Sequence, residues 1–271
     1  MKTALTLLFL ATALLAQKPP AAPPKASEVT AWAKTAYSIE IVTEGMKLPV
    51  KGEGWEMTAV PAEKPDVERY LDLVKAELSL YPKELWAKSK TKKIVLVSGI
   101  AVSGQARYAM PDFHGRALYL DTTILKEPRD YQRRVFHHEY FHLIDYADDG
   151  SVYADSKWSK LNAPDFKYGS GGRFMREAAA GTITKDLPGF VSRYATSGVE
   201  EDKAELFGLL MMNPAFIADR ERNDPILAKK IGHLRTALES FCKQMNAAHW
   251  KRVADAPINA APDSQPAEAP K

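Results

Sequence analysis

Apolar and polar positions follow two different periods in the two halves of this chain. Residues 38–43 and 55–60 alternate well enough to predict half-buried strands, with Gly- and Pro-containing turns between them. After Pro65-Asp66 the apolar positions Val67, Tyr70, Leu71, Val74, Leu78 and Tyr81 recur three and four apart, the single stripe of an amphipathic helix. Short apolar runs at 94–97, bounded by Ser98-Gly99, and at 117–120 predict two more strands. From residue 130 the helical period takes over, across 130–146, 197–212 and 224–245. Strands gather early and helices late, without βαβ alternation and without an internal repeat. The expected class is therefore α+β, with a helical C-terminal half.

The two ends have other compositions. Lys2 is followed by an apolar stretch, residues 4–16, of signal-peptide length and too short to anchor in a bilayer. Residues 1–16 thus read as an export signal, cleaved after Ala13 or Ala16, and no cysteine follows to take a lipid. Residues 17–26 form a Pro-rich linker, and residues 255–271, with four prolines, read as a disordered tail. A single domain over 27–254 remains, in an exported protein that is extracellular or periplasmic, with no stable membrane anchor after cleavage.

Composition narrows the partners. Lys plus Arg number 37 against 34 Asp plus Glu, a net charge of +3, too even a balance for a nucleic-acid groove. Cys242 is the single cysteine, so no intramolecular disulfide forms and the fold rests on its core or on a ligand. A monomer is expected.

His138-Glu139-Tyr140-Phe141-His142 carries the chemistry. Residues four apart on a helix lie about 40° from each other around the axis, so both imidazoles project from one face and can hold one Zn²⁺. Glu139 lies about 100° round, where a carboxylate reaches a zinc-bound water rather than the ion. Phe136, Tyr140, Leu143 and Ile144 form the opposite, core-facing side, and Asp130 is placed to cap the helix. His137 points away from the ligand face, toward the surface or behind a ligand. The plainer reading, two helix histidines that satisfy core hydrogen bonds, leaves the intervening glutamate unexplained.

Catalytic zinc takes three protein ligands and keeps a fourth position for water. Two carboxylates compete for the third place. Asp148 stands ten residues after His138, the spacing of the HExxHxxGxxH/D pattern, which needs a sharp turn at 145 where this chain has Asp145 instead of glycine. Glu201 stands one turn from Glu205, on a helix that Ser197 and Glu200 predict to begin with an S-x-x-E capping box. One carboxylate of such a pair can ligate while the other holds the second nitrogen of a ligating histidine. The bland alternative is a first-turn acidic cluster that complements the helix dipole. Glu177 is a less well placed candidate. Asp145 falls on the ligand face, either as a partner behind a histidine or as a helix-end residue facing water.

The HExxH motif, followed by Tyr194 seven residues ahead of Glu201-x-x-x-Glu205, resembles the gluzincin metallopeptidases related to the catalytic domain of anthrax lethal factor, among them exported bacterial zinc-binding metallopeptidases. The resemblance covers residues 94–212; HExxH is common to all zincins and the Tyr-x6-Glu-x3-Glu element is its more specific part. It implies a zincin-like fold with a small mixed sheet packed on the HExxH helix. It implies His138, His142 and Glu201 as ligands of one Zn²⁺ per chain, Glu139 as general base, Tyr194 as a transition-state hydrogen-bond donor and Glu205 as the partner behind a ligand. The chain departs from the toxin in lacking a translocation or target-binding region and in its longer stretch 146–190. The expected function is an exported zinc metallopeptidase that cleaves peptides or proteins. The alternative is a zincin-like domain that binds peptide or cell-wall material without cutting it, for which an intact Glu139 has no use.

Overall fold

The computed structural model describes residues 25–175, 177 and 179–259. Residues 1–24, which include the expected export signal and most of the expected linker, and residues 260–271 of the expected tail lie outside the described residues. The N-terminal half runs α1 (Ala26–Tyr37), β1 (Glu40–Val42), β2 (Val50–Gly52), β3 (Trp55–Pro61), α2 (Lys64–Ser79), α3 (Lys83–Lys88), β4 (Lys93–Val102), β5 (Gln105–Ala106), β6 (Ala109–Asp112) and β7 (Ala117–Asp121). The C-terminal half is helical: α4 (Arg129–Asp149), α5 (Ser156–Ser159), α6 (Val199–Met212), α7 (Pro214–Asn223), α8 (Pro225–Phe241) and α9 (Ala247–Ala254). The molecule is thus mixed α+β, with one mixed sheet and a helical C-terminal half. Among the described residues no helix is long and apolar enough to cross a membrane.

β4 is the hub of the sheet, whose order is β2-β3-β4-β7-β6 with β1 and β5 also paired to β4. β1 and β7 run parallel to β4, whereas β3 and β5 run antiparallel to it. The uninterrupted apolar run in β4 follows from burial on both faces. Ile94 and Leu96 join the main core with Leu118 and Leu120 of β7, while Val95 and Val97 join a smaller cluster with Met57 and Met110 on the other face.

The strand expected at 117–120 forms as β7 and is internal, between β4 and β6, so that β6 is the edge. β6 pairs antiparallel with β7, and Asp121 N–H donates to Tyr108 O at 2.8 Å. Bonded and non-bonded pairs alternate in an antiparallel ladder, so residues 110 and 112 bond to β7 and residues 109 and 111 turn their backbone groups outward. Pro111, which has no N–H, falls at an outward position where no ladder bond is lost.

α4 begins one residue before the expected start and ends later. Pro128 is its N-cap and offers no side-chain hydrogen bond, so Asp130 complements the first turn instead of capping it. The helix continues straight through Asp145 to Gly150, whose positive φ of 79° terminates it. Phe136, Tyr140, Leu143 and Ile144 are buried as expected. His137 is not at the surface but fully buried, with Nε2 2.8 Å from Glu77 Oε2 and Nδ1 against the Tyr81 hydroxyl. Glu77 also holds Arg133 at 2.6 Å, and Arg133 donates to Asn259 Oδ1 at 2.7 Å. Residues 257–259, expected by composition to belong to the tail, therefore form a 3-10 turn tied to α4. The helix α1, lying partly in the proposed linker, also went unread in the pattern.

Every residue of α6 is buried. The expected capping box is not formed: Gly198 is the N-cap without a side-chain bond, and the Ser197 hydroxyl donates to Tyr194 O at 2.7 Å. α6 lies close against α4 at Gly208, where a Cβ would stand 3.4 Å from Arg134 O and 3.7 Å from His138 N. Lys203 of α6 pairs with the half-buried Asp145 of α4 at 2.7 Å, and Asp202 pairs with Lys230 of α8 at 2.7 Å, the second pair out of water. Asp202 also accepts from Trp158 Nε1 at 2.8 Å, so the long segment 146–190 is pinned to α6 by a buried polar cluster.

Candidate metal centre

Two helices supply the centre, α4 through its HExxH turn and α6 through its first and second turns. His138 Nε2 lies 3.0 Å from Glu201 Oε2 and 3.2 Å from His142 Nε2, and the third side of the triangle, His142 Nε2 to Glu201 Oε2, is 3.6 Å. Ligands at ~2.0–2.1 Å in a tetrahedron around zinc stand roughly 3.3 Å from one another, so these three atoms have the spacing that one ion requires. All three residues are buried, and among the described residues theirs is the group of His, Cys, Asp or Glu side chains arranged to hold a metal. Two imidazoles and one carboxylate, with a position left for water, are a donor set that suits zinc.

The surroundings hold each donor in place. Glu205 Oε1 meets His138 Nδ1 at 3.1 Å, and its other oxygen accepts from Ser192 Oγ at 2.6 Å. Burial would raise the Glu205 carboxyl, but Arg134 and the hydrogen bond to His138 override it and hold the group down to about 2. Glu205 is therefore an acceptor at every working pH, and the Nδ1 it meets carries hydrogen, which leaves Nε2 to face the centre. Glu205→Ala is expected to weaken zinc binding about 10–100-fold, measured by competition with a fluorescent chelator, with little change in far-UV dichroism.

Tyr194 donates its hydroxyl to Glu201 Oε1 at 3.0 Å, so Oε2 is the oxygen left for the centre. Burial, together with the charges of Glu201 and Glu139, raises the Tyr194 phenol far above its ordinary value and keeps it a donor. Gly172 makes room for this arrangement: a Cβ there would fall 2.0 Å from Glu201 Oε1 and 2.3 Å from the Tyr194 hydroxyl. Glu139 is half-buried beside the triad; burial raises its pKa, against the lowering pull of His138 and His142.

His138 is the strongest titrating group of the set. Burial disfavours its cation, but hydrogen bonds to Glu201 and Glu205 outweigh that and raise it to about 10 in the metal-free chain. A ligating imidazole must be neutral at the donor nitrogen, so the cation and a proton compete for Nε2. At pH 8 zinc binding is expected to release about one proton from His138, and affinity to rise with pH until about 10, where that proton is already gone. Calorimetric titration in buffers of different ionisation enthalpy measures this; a buffer-independent enthalpy at pH 8 contradicts it.

The remaining sequence candidates lie elsewhere. Asp148 is exposed near the end of α4, and because the helix does not turn at 145 it is not carried back toward the histidines. Glu177 pairs with Arg193 at 2.8 Å on the surface. Asp145 gives its carboxylate to Lys203, tying α4 to α6 instead of bonding a histidine ring. Ser192, Arg134 and Gly172 were not singled out from the sequence. Their roles depend on chain segments that meet only in three dimensions, and no local spacing marks them.

No protein-family model matches this chain, and no curated protein matches it. Among solved structures it is similar to one described as a "putative zinc-binding metallo-peptidase" from Bacteroides caccae, with 18% identity over 88% of this chain and 97% of that one, at a TM-score of 0.48. The chemistry of the centre rests on this chain's own residues.

Proposed function

We propose that the chain is an exported, zinc-dependent metallopeptidase of gluzincin type, with a zincin-like fold and one zinc per chain held by His138, His142 and Glu201. The observation that carries this reading is the triangle of donor atoms 3.0, 3.2 and 3.6 Å apart, with Glu139 one residue from His138. When bound, the zinc ion supplies Lewis acidity, polarising a carbonyl and lowering the pKa of its water toward 7. Glu139 takes the proton of the attacking water and passes it to the leaving amine, a role that suits a carboxylate raised by burial. Tyr194, kept protonated, turns its one O–H from Glu201 Oε1 to the oxyanion that forms at the scissile carbon. Glu205 and Ser192 keep His138 oriented throughout.

The edge strand supports a peptide as substrate. Pro111, half-buried on that edge, turns its C=O outward, where an extended chain running beside β6 would pair with it; Ala109 is buried. An export role is supported by the apolar segment at residues 4–16. The reading is tested by measuring zinc stoichiometry together with hydrolysis of unfolded casein and a peptide library, with and without chelator. Zinc at one per chain with chelator-sensitive cleavage is expected; zinc at one per chain with no turnover on any peptide overturns the catalytic part and favours a binding domain.

A further inference from the structure

The segment between α5 and α6 brings a second feature to the metal centre. Gly169 N–H donates to Thr196 O at 3.1 Å and Gly171 N–H to Ser197 O at 2.7 Å, so the glycine-rich backbone lies along the chain that enters α6. A side chain would spoil this approach, since a Cβ on Gly169 would come within 3.2 Å of Ser197 O. Gly171 has a φ of +97°, a conformation that favours glycine, and its neighbour Gly172 is the residue that touches Glu201 and Tyr194.

The same segment walls a cavity of about 250 Å³. Phe166, Phe174 and Met175 give it an apolar lining; Lys167 is the charged residue there, and no carboxylate lines it. Phe166 is a fixed wall, its ring 4.6 Å from that of Phe190 and 5.0 Å from that of Tyr168. Phe174 is an outlying wall, 58% exposed, with the Arg173 guanidinium 4.8 Å over its ring. Tyr153, at 74% exposed, stands within electrostatic reach of Glu200, Glu201 and Glu139. Among the described residues, Val60, Tyr153 and Phe174 are the exposed large hydrophobics, and the last two belong to this region.

We infer that this cavity is a specificity subsite that receives an aromatic or long aliphatic side chain of a peptide substrate close to the scissile bond. The inference rests on the metallopeptidase reading and names its substrate class. The cavity is smaller than the roughly 300–1,000 Å³ of pockets that enclose a whole drug-sized ligand, so its size suits one side chain. Its wall and the zinc ligand are joined through adjacent residues, Gly171 and Gly172, and an extended peptide advances only about 3.3 Å per residue. Phe174 follows Gly172 by two residues, at most roughly 7 Å of chain, which sets the subsite one or two substrate residues from the centre. Two aromatic walls and a thioether reward an apolar side chain, and the cavity's cations, Lys167 in the lining and Arg173 over the outer face of Phe174, lie at its margin.

Peptide libraries varied one position at a time around the cut test this with the zinc-loaded full chain. One position is expected to favour Phe or Leu over Ala, and over Asp or Glu, by about tenfold or more in kcat/KM, the discrimination that a few methylenes supply. Phe174→Ala, an exposed change, is expected to remove at least about threefold of that preference. A preference that survives both Phe174→Ala and Phe166→Leu overturns the inference, as does a preference for acidic residues that Lys167→Ala abolishes. If the zinc-loaded chain cleaves nothing, the catalytic reading fails separately. Calorimetric binding of uncleaved Phe and Ala peptides then decides the subsite: equal affinities, or a difference that Phe174→Ala leaves intact, overturn it.

Discussion

Glu139→Gln is expected to leave the zinc content at one per chain and to lower peptide cleavage by about 10³-fold or more. The carboxamide is nearly the shape of the carboxylate but has no basic oxygen to take a proton. Glu139 is one residue from His138 yet outside the triangle formed by His138, His142 and Glu201, so the candidate donor set is untouched. Removing the half-buried carboxylate is also inexpensive to the fold, because partial burial already opposes its charged form. Metal analysis and steady-state kinetics on the same preparation separate the two effects. Cleavage within about tenfold of the parent would remove Glu139 from the reaction, and loss of zinc would make it a ligand.

The second large effect is expected at Glu201. Glu201→Ala leaves two imidazoles as protein ligands and is expected to reduce zinc occupancy from one per chain to near zero after dialysis against a weak chelator. The carboxylate has several partners: Oε2 stands 3.0 Å from His138 Nε2, and Oε1 accepts from Tyr194. Burial opposes its charge, but hydrogen bonds to His138 and His142 prevail and hold its pKa far below the ordinary carboxylate range. The variant should also lose the stabilisation that zinc gives the parent, about 4 kcal/mol when free zinc exceeds the dissociation constant a thousandfold. Thermal melts with and without zinc measure that difference. Full occupancy in Glu201→Ala would return the third ligand to another carboxylate, with Asp148 the first to be replaced in turn.

The parts of the molecule legible in the sequence are those specified by local periodicity. The stripe from Val67 to Tyr81, the run at 94–97 and the spacing of His138 to His142 are properties of one element each, and the structure shows them as α2 with the turn after it, β4 and the ligand face of α4. What depended on neighbours was less visible. β7 could not be told from an edge strand, because its status depends on β6, a four-residue strand containing Pro111. The capping box at Ser197 failed because Ser197 and Glu200 have other work: the first bonds Tyr194 O, and the second is drawn to backbone N–H groups that include Gly172. His137 was misread because its partners, Glu77 and Tyr81, lie some sixty residues earlier. Glu201 and Glu205 were legible as a pair, since an i, i+4 spacing is local, but that both turn toward His138 follows from the close packing that Gly208 allows.

The complete burial of α6 has a kinetic consequence. A helix with no exposed face has no side from which to fray, so its amide hydrogens should exchange mainly through opening of the whole domain. Glu201 and Glu205 ride on that helix, and His138 belongs to the helix packed against it at Gly208. If the burial of α6 holds the fold by itself, the donor atoms are expected to be assembled by folding alone, unlike those of small zinc modules that fold only on binding. Uptake and loss of the metal then involve entry of an ion and departure of a proton, on a timescale unconnected with folding, and a chelator should yield an empty but folded chain.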